Sequence, residues 1–547
     1  MIRHSTRQTH NIPVFWLVTW LLVAGILLWL PTADAQGKGG VLRIGMTAAD
    51  IPHTGGQPDQ GFEGFRFIGY QLYDALVRWD LSQGERLPDV VPGLAERWEV
   101  SKEDPTKWIF YLRQGVKFHD GTDFNADAVL WNWEKIKSKE APQFDSRQAG
   151  WSHWATTEMQ SWRKLDDYTV ELTTTRPTSF VLTQLIYVFY ASPTQWEKVG
   201  RDWRAFANNP VGTGPFKLTK LAPRERAELE PNRHYWDPKR VPKLDKVILF
   251  PMPEVTTRLA ALRNGQVDWI EVPPPDGILS LRQAGFQIFL HPYPHNWPYN
   301  LNLTKPPFDN KLVRQAMNYA IDREGLCKSL LNGTCIAGTG VVYPGHPWFG
   351  NPTHYEYDPA KAKELLRQAG YDGKGKRVKT SVLISTSGSG QMLPLPMNEF
   401  IQENLREIGI DLELVPIEWN ALIQRWFKGF QDPENANLGA INISLQFVEP
   451  HGAFMRRFHS AFVAPKSTNV MPYINPEVDR LLEAAERTFD QQERDRLLAR
   501  VHEIIVDDAP WVFIVHDLNP RAMSPKVKGF VQPQSWFVDL TLPWIEK

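Results

Sequence analysis

Apolar positions along the chain fall into short alternating runs that exchange with stretches of helical spacing. Val41 to Gly45 reads as a strand, and Phe65, Ile68, Leu72 and Leu76 then recur at helical intervals up to Trp79. Trp108 to Arg113 alternates, and Tyr168 to Thr173 is strand-like. Between them Asn125 is placed to cap a helix carrying Val129, Trp133 and Ile136. The second half is more regular. A helix ending at Gly265 precedes a strand over Gln266 to Val272, and one ending at Gly285 precedes a strand over Phe286 to Leu290. A third, Asn398 to Ile408, stops at Gly409 before a strand over Ile410 to Pro416. Glycine just past each helix fits the left-handed C-terminal stop. Repeated helix–Gly–strand units predict crossover connections and open α/β sheets covered by helices. Pro-rich spots such as Val272 to Pro275 read as turns, and no low-complexity linker separates the lobes.

The amino terminus changes this picture. Arg3 and Arg7 precede an apolar run from Val14 to Leu30, followed by the small residues of Ala33-Asp34-Ala35. This order is that of a secretory signal peptide over residues 1–35; an uncleaved membrane anchor is the alternative. Losing Arg3, Arg7 and Asp34 moves the formal charge from −1 to −2, so nothing resembles the basic footprint of a nucleic-acid binder. The remaining length exceeds one ordinary core, so two or three lobes are expected. The chain has two cysteines, Cys327 and Cys335, set on either side of a predicted helix end. In an oxidising compartment they are candidates for a local disulfide, with two free thiols as the alternative.

The search for reaction chemistry returns nothing. In Val211 to Phe216 (VGTGPF), Pro215 stands where a phosphate-cradling helix needs an N–H. Ser387 to Gly390 lacks the spacing of a nucleophile elbow. His291 and His295 are four apart, but Pro292 and Pro294 forbid the helix that would put them on one face. No catalytic residue, metal site or cofactor is assigned, and the chain is not expected to be an enzyme.

Several segments together resemble one family. Leu94 to Val100 (LAERWEV), Leu112 to Thr122 (LRQGVKFHDGT) and Phe124 to Val129 (FNADAV) look like the signature of the extracellular solute-binding proteins of family 5, the peptide, oligopeptide and nickel type of ABC importers. The resemblance continues through Val211 to Phe216, Asn232 to Trp236 (NRHYW) and Phe308 to Arg323 (FDNKLVRQAMNYAIDR). It covers nearly the whole chain beyond residue 40. Gly115, Gly121, His119, Asp120, Thr213 and Gly214 read as turn and loop residues even within that signature.

The resemblance implies an α/β, two-lobed periplasmic binding protein fold (type II, cluster C-like) with an extra inserted domain. Mapped onto this chain, one lobe takes 38–78, 205–291 and 516–547, the insert 79–204, and the second lobe 292–515. A monomer is implied that captures a small solute in the periplasm and delivers it to an inner-membrane ABC permease. A periplasmic chaperone or sensory binding subunit on the same fold is the alternative. In peptide-binding members an aspartate pairs with the peptide's amino group, and Gln446, within Asn442 to Pro450 (NISLQFVEP), stands at that place here. An amide cannot neutralise a buried ammonium, which argues against ordinary peptides. A modified peptide, an oligosaccharide or another polar organic solute fits better. The candidate ligand contacts are Asn296, Trp297 and Tyr299 in the entry to the second lobe, and Trp419, read as capping a helix beside the pocket. Phe447, Glu449 and His451 join them around Gln446, with Glu449 read as further along the same strand, and His53 follows the first strand.

Overall fold

The computed structural model describes Met1 and residues 39–388, 390–446 and 449–546. The segment read as a signal peptide and the candidate Phe447 lie outside the described residues. Among the described residues, no helix is long and apolar enough to cross a membrane.

Two mixed seven-stranded sheets and one four-stranded antiparallel sheet organise the chain. In the first, Val41–Met46 lies between Lys246–Pro251 and Trp269–Glu271, parallel to both. Antiparallel strands Arg226–Pro231 and Phe216–Ala222 extend one side, Arg521–Met523 and Gln287–Phe289 the other. In the second, Val378–Ser385 runs parallel to Ile410–Ile417 and Ala440–Asn442, while His295–Leu301 and Trp511–Asp517 continue antiparallel. The four-stranded sheet comprises Ala95–Val100, Lys107–Leu112, Thr169–Thr174 and Met159–Asp166. It falls between strands of the first sheet in sequence, so it is an insertion into that lobe. The architecture is a two-lobed α/β binding fold with an inserted domain.

Local sequence explains most elements. Asn125 caps the helix Ala126–Lys137, its side-chain oxygen accepting from Ala128 N at 3.1 Å. Gly265, Gly285 and Gly409 have φ of +67°, +85° and +94° and follow helices 255–263, 278–283 and 394–407. The helix predicted up to Trp79 stops sooner: a helical segment with a π turn covers 61–72, and Val77–Trp79 is a strand. Leu76, 0% exposed, is therefore a core residue outside a helix.

The lobes are joined by two short, adjacent crossings, Phe289 to His295 and Asp517 to Arg521. His291 N donates to Leu518 O at 2.8 Å, and the Tyr293 hydroxyl donates to Asp517 Oδ2 at 3.0 Å. Two paired segments of this length bend as one hinge, because few torsions can absorb the motion.

The signature residues hold this frame. His119 Nε2 lies 2.9 Å from Gly214 O, and Ser192 Oγ donates to Asp120 Oδ2 at 2.7 Å. The first contact fastens the insert to the first lobe, and the second braces the insert itself. Cys327 and Cys335 form a disulfide, their Cα atoms 5.4 Å apart, between a π turn and the edge strand Cys335–Ala337.

Candidate functional site

In open α/β sheets, ligand-facing groups gather at the carboxyl ends of parallel strands. In the second lobe these ends lead into the turn after Ser385, into Trp419, and into Leu445–Gln446, which pairs back onto His295–Asn296. A Cβ on Gly388 would meet the Trp419 ring at 2.5 Å, and one on Gly390 would lie 3.1 Å from His295 Nε2. Glycine therefore lets this turn lie directly on the sheet end.

Glu449 lies outside the strand Leu445–Gln446. His451–Met455 is a π turn leading into Arg456–Phe458. Glu449 caps it, with Oε1 accepting from Gly452 N at 2.5 Å. The expectation that Glu449 lies further along the same strand is thus corrected: Glu449 lies at the start of this turn and outside the strand Leu445–Gln446.

Several polar atoms on this wall have no hydrogen-bond partner among the described residues. They are Gln446 Oε1, Glu449 Oε2, both ring nitrogens of His451, and Arg456 Nε. Glu449 and His451 are each 2% exposed, so these atoms have lost water without replacing it. Burial pushes the Glu449 carboxyl up, against the opposing pull of Arg456. Burial, followed by Arg456, lowers His451 to about 3, so its ring is neutral.

Facing this wall, the first lobe and the insert present aromatic rings. Phe62 packs with Trp154, Tyr187 and Phe537 at centroid distances of 6.4, 5.9 and 5.4 Å. Trp154 and Tyr187 are 4.7 Å apart, and Tyr70 meets Phe537 at 4.9 Å. The walls touch where the Arg456 guanidinium lies 5.5 Å from the Trp154 ring.

The lobes also meet at the rim. Arg176 of the insert pairs with Glu486 of the second lobe at 2.8 Å, Ser179 N donates to Glu486 O at 2.7 Å, and Tyr343 donates to Gln534 at 2.7 Å. A groove of about 740 Å³ opens beside these contacts, lined by Trp79, Trp98, Tyr343, Trp348, Arg494 and Gln534 among others.

The remaining candidates are placed differently. Asn296 Nδ2 donates to Gly340 O and Val341 O at 2.5 and 3.1 Å. Trp297 Nε1 donates to Gln391 Oε1 at 2.9 Å, and the Tyr299 hydroxyl to Asn398 Oδ1 at 2.5 Å. All three side chains are buried, with these donors engaged inside the second lobe, while Asn296 Oδ1 has no partner among the described residues. Trp419 opens the helix Trp419–Lys428 but does not cap it; Glu418 does, accepting from Ala421 N at 3.0 Å. His53 organises its own loop, its Nδ1 accepting from Gly55 N at 3.1 Å; burial first, then Arg147, lowers it to about 4. Arg456, Phe62, Trp154 and Tyr187 are not among the sequence candidates. One signal pointed to Arg456: two adjacent arginines close an otherwise apolar stretch after His451. The aromatic wall has no comparable signal, because its members are scattered along the sequence from Phe62 to Phe537.

Known proteins share this frame. The model of bacterial extracellular solute-binding proteins, family 5 (middle region), matches residues 89–461. The chain belongs to the family 5 extracellular solute-binding proteins. The glutathione-binding protein GsiB of Salmonella typhimurium is 31% identical over 449 residues, covering 81% of this chain and 84% of the relative. Heme-binding protein A of Haemophilus influenzae is 29% identical, covering 84% of each. Among solved structures, the periplasmic binding protein DppA of Helicobacter pylori, in complex with the peptide STSA, superposes with a TM-score of 0.78. It is 27% identical, covering 94% of this chain and 99% of that one. These relatives of the family 5 member are binding proteins rather than enzymes. Among the described residues, no group of His, Cys, Asp or Glu is arranged to hold a metal ion.

Proposed function

We propose that this family 5 member is the periplasmic, solute-capturing subunit of an ABC importer, holding one small polar organic solute between its lobes for delivery to an inner-membrane permease. One observation carries the reading: buried polar atoms without partners on the second lobe face an aromatic wall built by the first lobe and the insert. A protein that never filled this space would carry those desolvated groups at a cost of about 1–3 kcal/mol each. A solute touching both walls satisfies them only when the lobes are together, so it favours the closed form by its differential affinity. The glutathione, heme and peptide ligands named for relatives make a peptide-like or similarly sized organic solute the expected class. Export through a cleaved signal over residues 1–35 accords with this role. In it, Gln446, Glu449, His451 and Arg456 face the solute, while Asn296, Trp297 and Tyr299 brace the sheet behind them. Native mass spectrometry of the protein purified from its own host tests the proposal. One small mass bound per chain supports it; a protein that takes up no solute from any small-molecule mixture contradicts it.

A further inference from the structure

The second lobe's wall has an imbalance of charge. Arg456 and Arg457 stand side by side, and Glu449 is the carboxylate that acts on both. Arg457 is engaged locally: its Nε donates to Gly452 O at 2.7 Å and its guanidinium lies 5.6 Å from the Trp426 ring. Glu449 is held by the Gly452 N–H. A Cβ on Gly452 would come 2.2 Å from Glu449 Oε1 and 3.4 Å from an Arg456 terminal nitrogen, so the glycine keeps the two groups close. Even so, among the described residues no carboxylate lies within ion-pair distance of Arg456, whose Nε is buried without a partner and whose plane rests near Trp154. The opposite wall supplies rings from Phe62, Trp154, Tyr187 and Phe537. Arg456 therefore stands on this wall without an ion-paired carboxylate among the described residues. A desolvated arginine of this kind is stable only when an anion completes it.

Gln446 sharpens the point. It brings an amide rather than a carboxylate to the strand end opposite His295, and His451, five residues further along the chain, is neutral. Among the described residues, Glu449 is the carboxylate that acts on this wall's arginines, and it already faces two guanidinium groups.

From this arrangement we infer that the solute is an organic acid without a free amino group, its anionic oxygens paired with Arg456 and its apolar portion lying on the Trp154 and Phe62 rings. Glu449 Oε2, Gln446 Oε1 and the His451 ring then hydrogen-bond the polar groups between these ends. The inference rests on the solute-capture reading and narrows it to a charge class. It sets this cleft apart from one that recognises an unblocked peptide by both ends.

The test incubates the whole protein with a small-molecule extract of a bacterial lysate, followed by native mass spectrometry and denaturing release of what is bound. The released compound is expected to be retained on an anion exchanger at pH 8 and to resist an amine-labelling reagent. Arg456→Met is expected to lower its affinity about ten- to a hundredfold, the scale of one charge-assisted interaction, while circular dichroism and thermal midpoint stay near the parent's. Arg456→Lys, retaining the charge without the planar fork, is expected to recover part of the loss. A neutral, cationic or amine-bearing compound would overturn the inference and leave solute capture standing. So would an anionic compound bound equally by the parent and a folded Arg456→Met. If the parent binds no compound, the capture reading itself fails, and this inference with it.

Discussion

The two lobes treat buried charge in opposite ways. In the first, Glu271 is 0% exposed, yet Arg66 and Arg521 pair with it at 2.8 and 2.9 Å, and the Trp269 indole donates to it at 2.8 Å. Asp74, also buried, accepts from Thr213, Tyr235 and Trp236 at 2.7–2.9 Å. The flanking arginines hold Glu271 below its ordinary range although burial pushes it up. In the second lobe, Glu449, His451, Gln446 and Arg456 are drawn together with acceptors and donors still unused. Arg66 Nε and Nη2 and Glu271 Oε2 also lack a hydrogen bond, but Glu271 has ion-pair partners in Arg66 and Arg521, whereas Arg456 has no ion-paired carboxylate among the described residues. This difference in charge pairing sets the proposed site apart from the scaffold.

This contrast breaks if the first lobe's network proves dispensable. Glu271→Ala leaves Arg66 and Arg521 buried without their carboxylate and is expected to cost about 3–5 kcal/mol of stability, read by urea denaturation. A loss below about 1 kcal/mol would remove the distinction. The next effect belongs to the second wall. His451 titrates near 3 when folded and near 6.5 when unfolded, so the unfolded chain binds the extra proton and stability falls as pH drops below 6.5. Between pH 7.5 and 5.5 the parent is expected to lose about 1.4 kcal/mol more than His451→Gln. Equal losses would show that the ring is solvated rather than enclosed. The smallest change sharpens the comparison from the other side. Gln446→Ala removes an amide whose oxygen has no protein partner, so stability is expected to shift by no more than about 0.5 kcal/mol. Solute affinity, by titration calorimetry, is expected to fall about two- to tenfold. Affinity equal to the parent's would take Gln446 out of the site.

The frame was readable because its determinants are local. Helix ends at Gly265, Gly285 and Gly409, the Asn125 cap and the alternating strand Trp108 to Arg113 depend on a few neighbouring residues, and the signature over 94–129 named the fold family. The proposed site was readable only on its sequence-continuous side, where Gln446, Glu449 and His451 lie within six positions of one another. Asn296, Trp297 and Tyr299 looked like an aromatic wall because their residue types suit one, but the alternation of a fully buried strand does not say which neighbours take up the polar atoms. The structure gives Trp297 to Gln391 and Tyr299 to Asn398. The wall that does face Glu449 is assembled from Phe62, Trp154, Tyr187 and Phe537, a juxtaposition created by tertiary folding alone. The helix end before Trp79 was misplaced for a related reason: Leu76 keeps helical spacing while packing from an extended segment.

A crystal structure of the protein loaded with its captured solute tests the central claim most directly. The account predicts density enclosed between the walls, an anionic group within hydrogen-bond distance of Arg456, and an apolar portion against Trp154 and Phe62. Solute density in contact with one lobe alone, or seated away from the segment between Gln446 and Arg456, would contradict it.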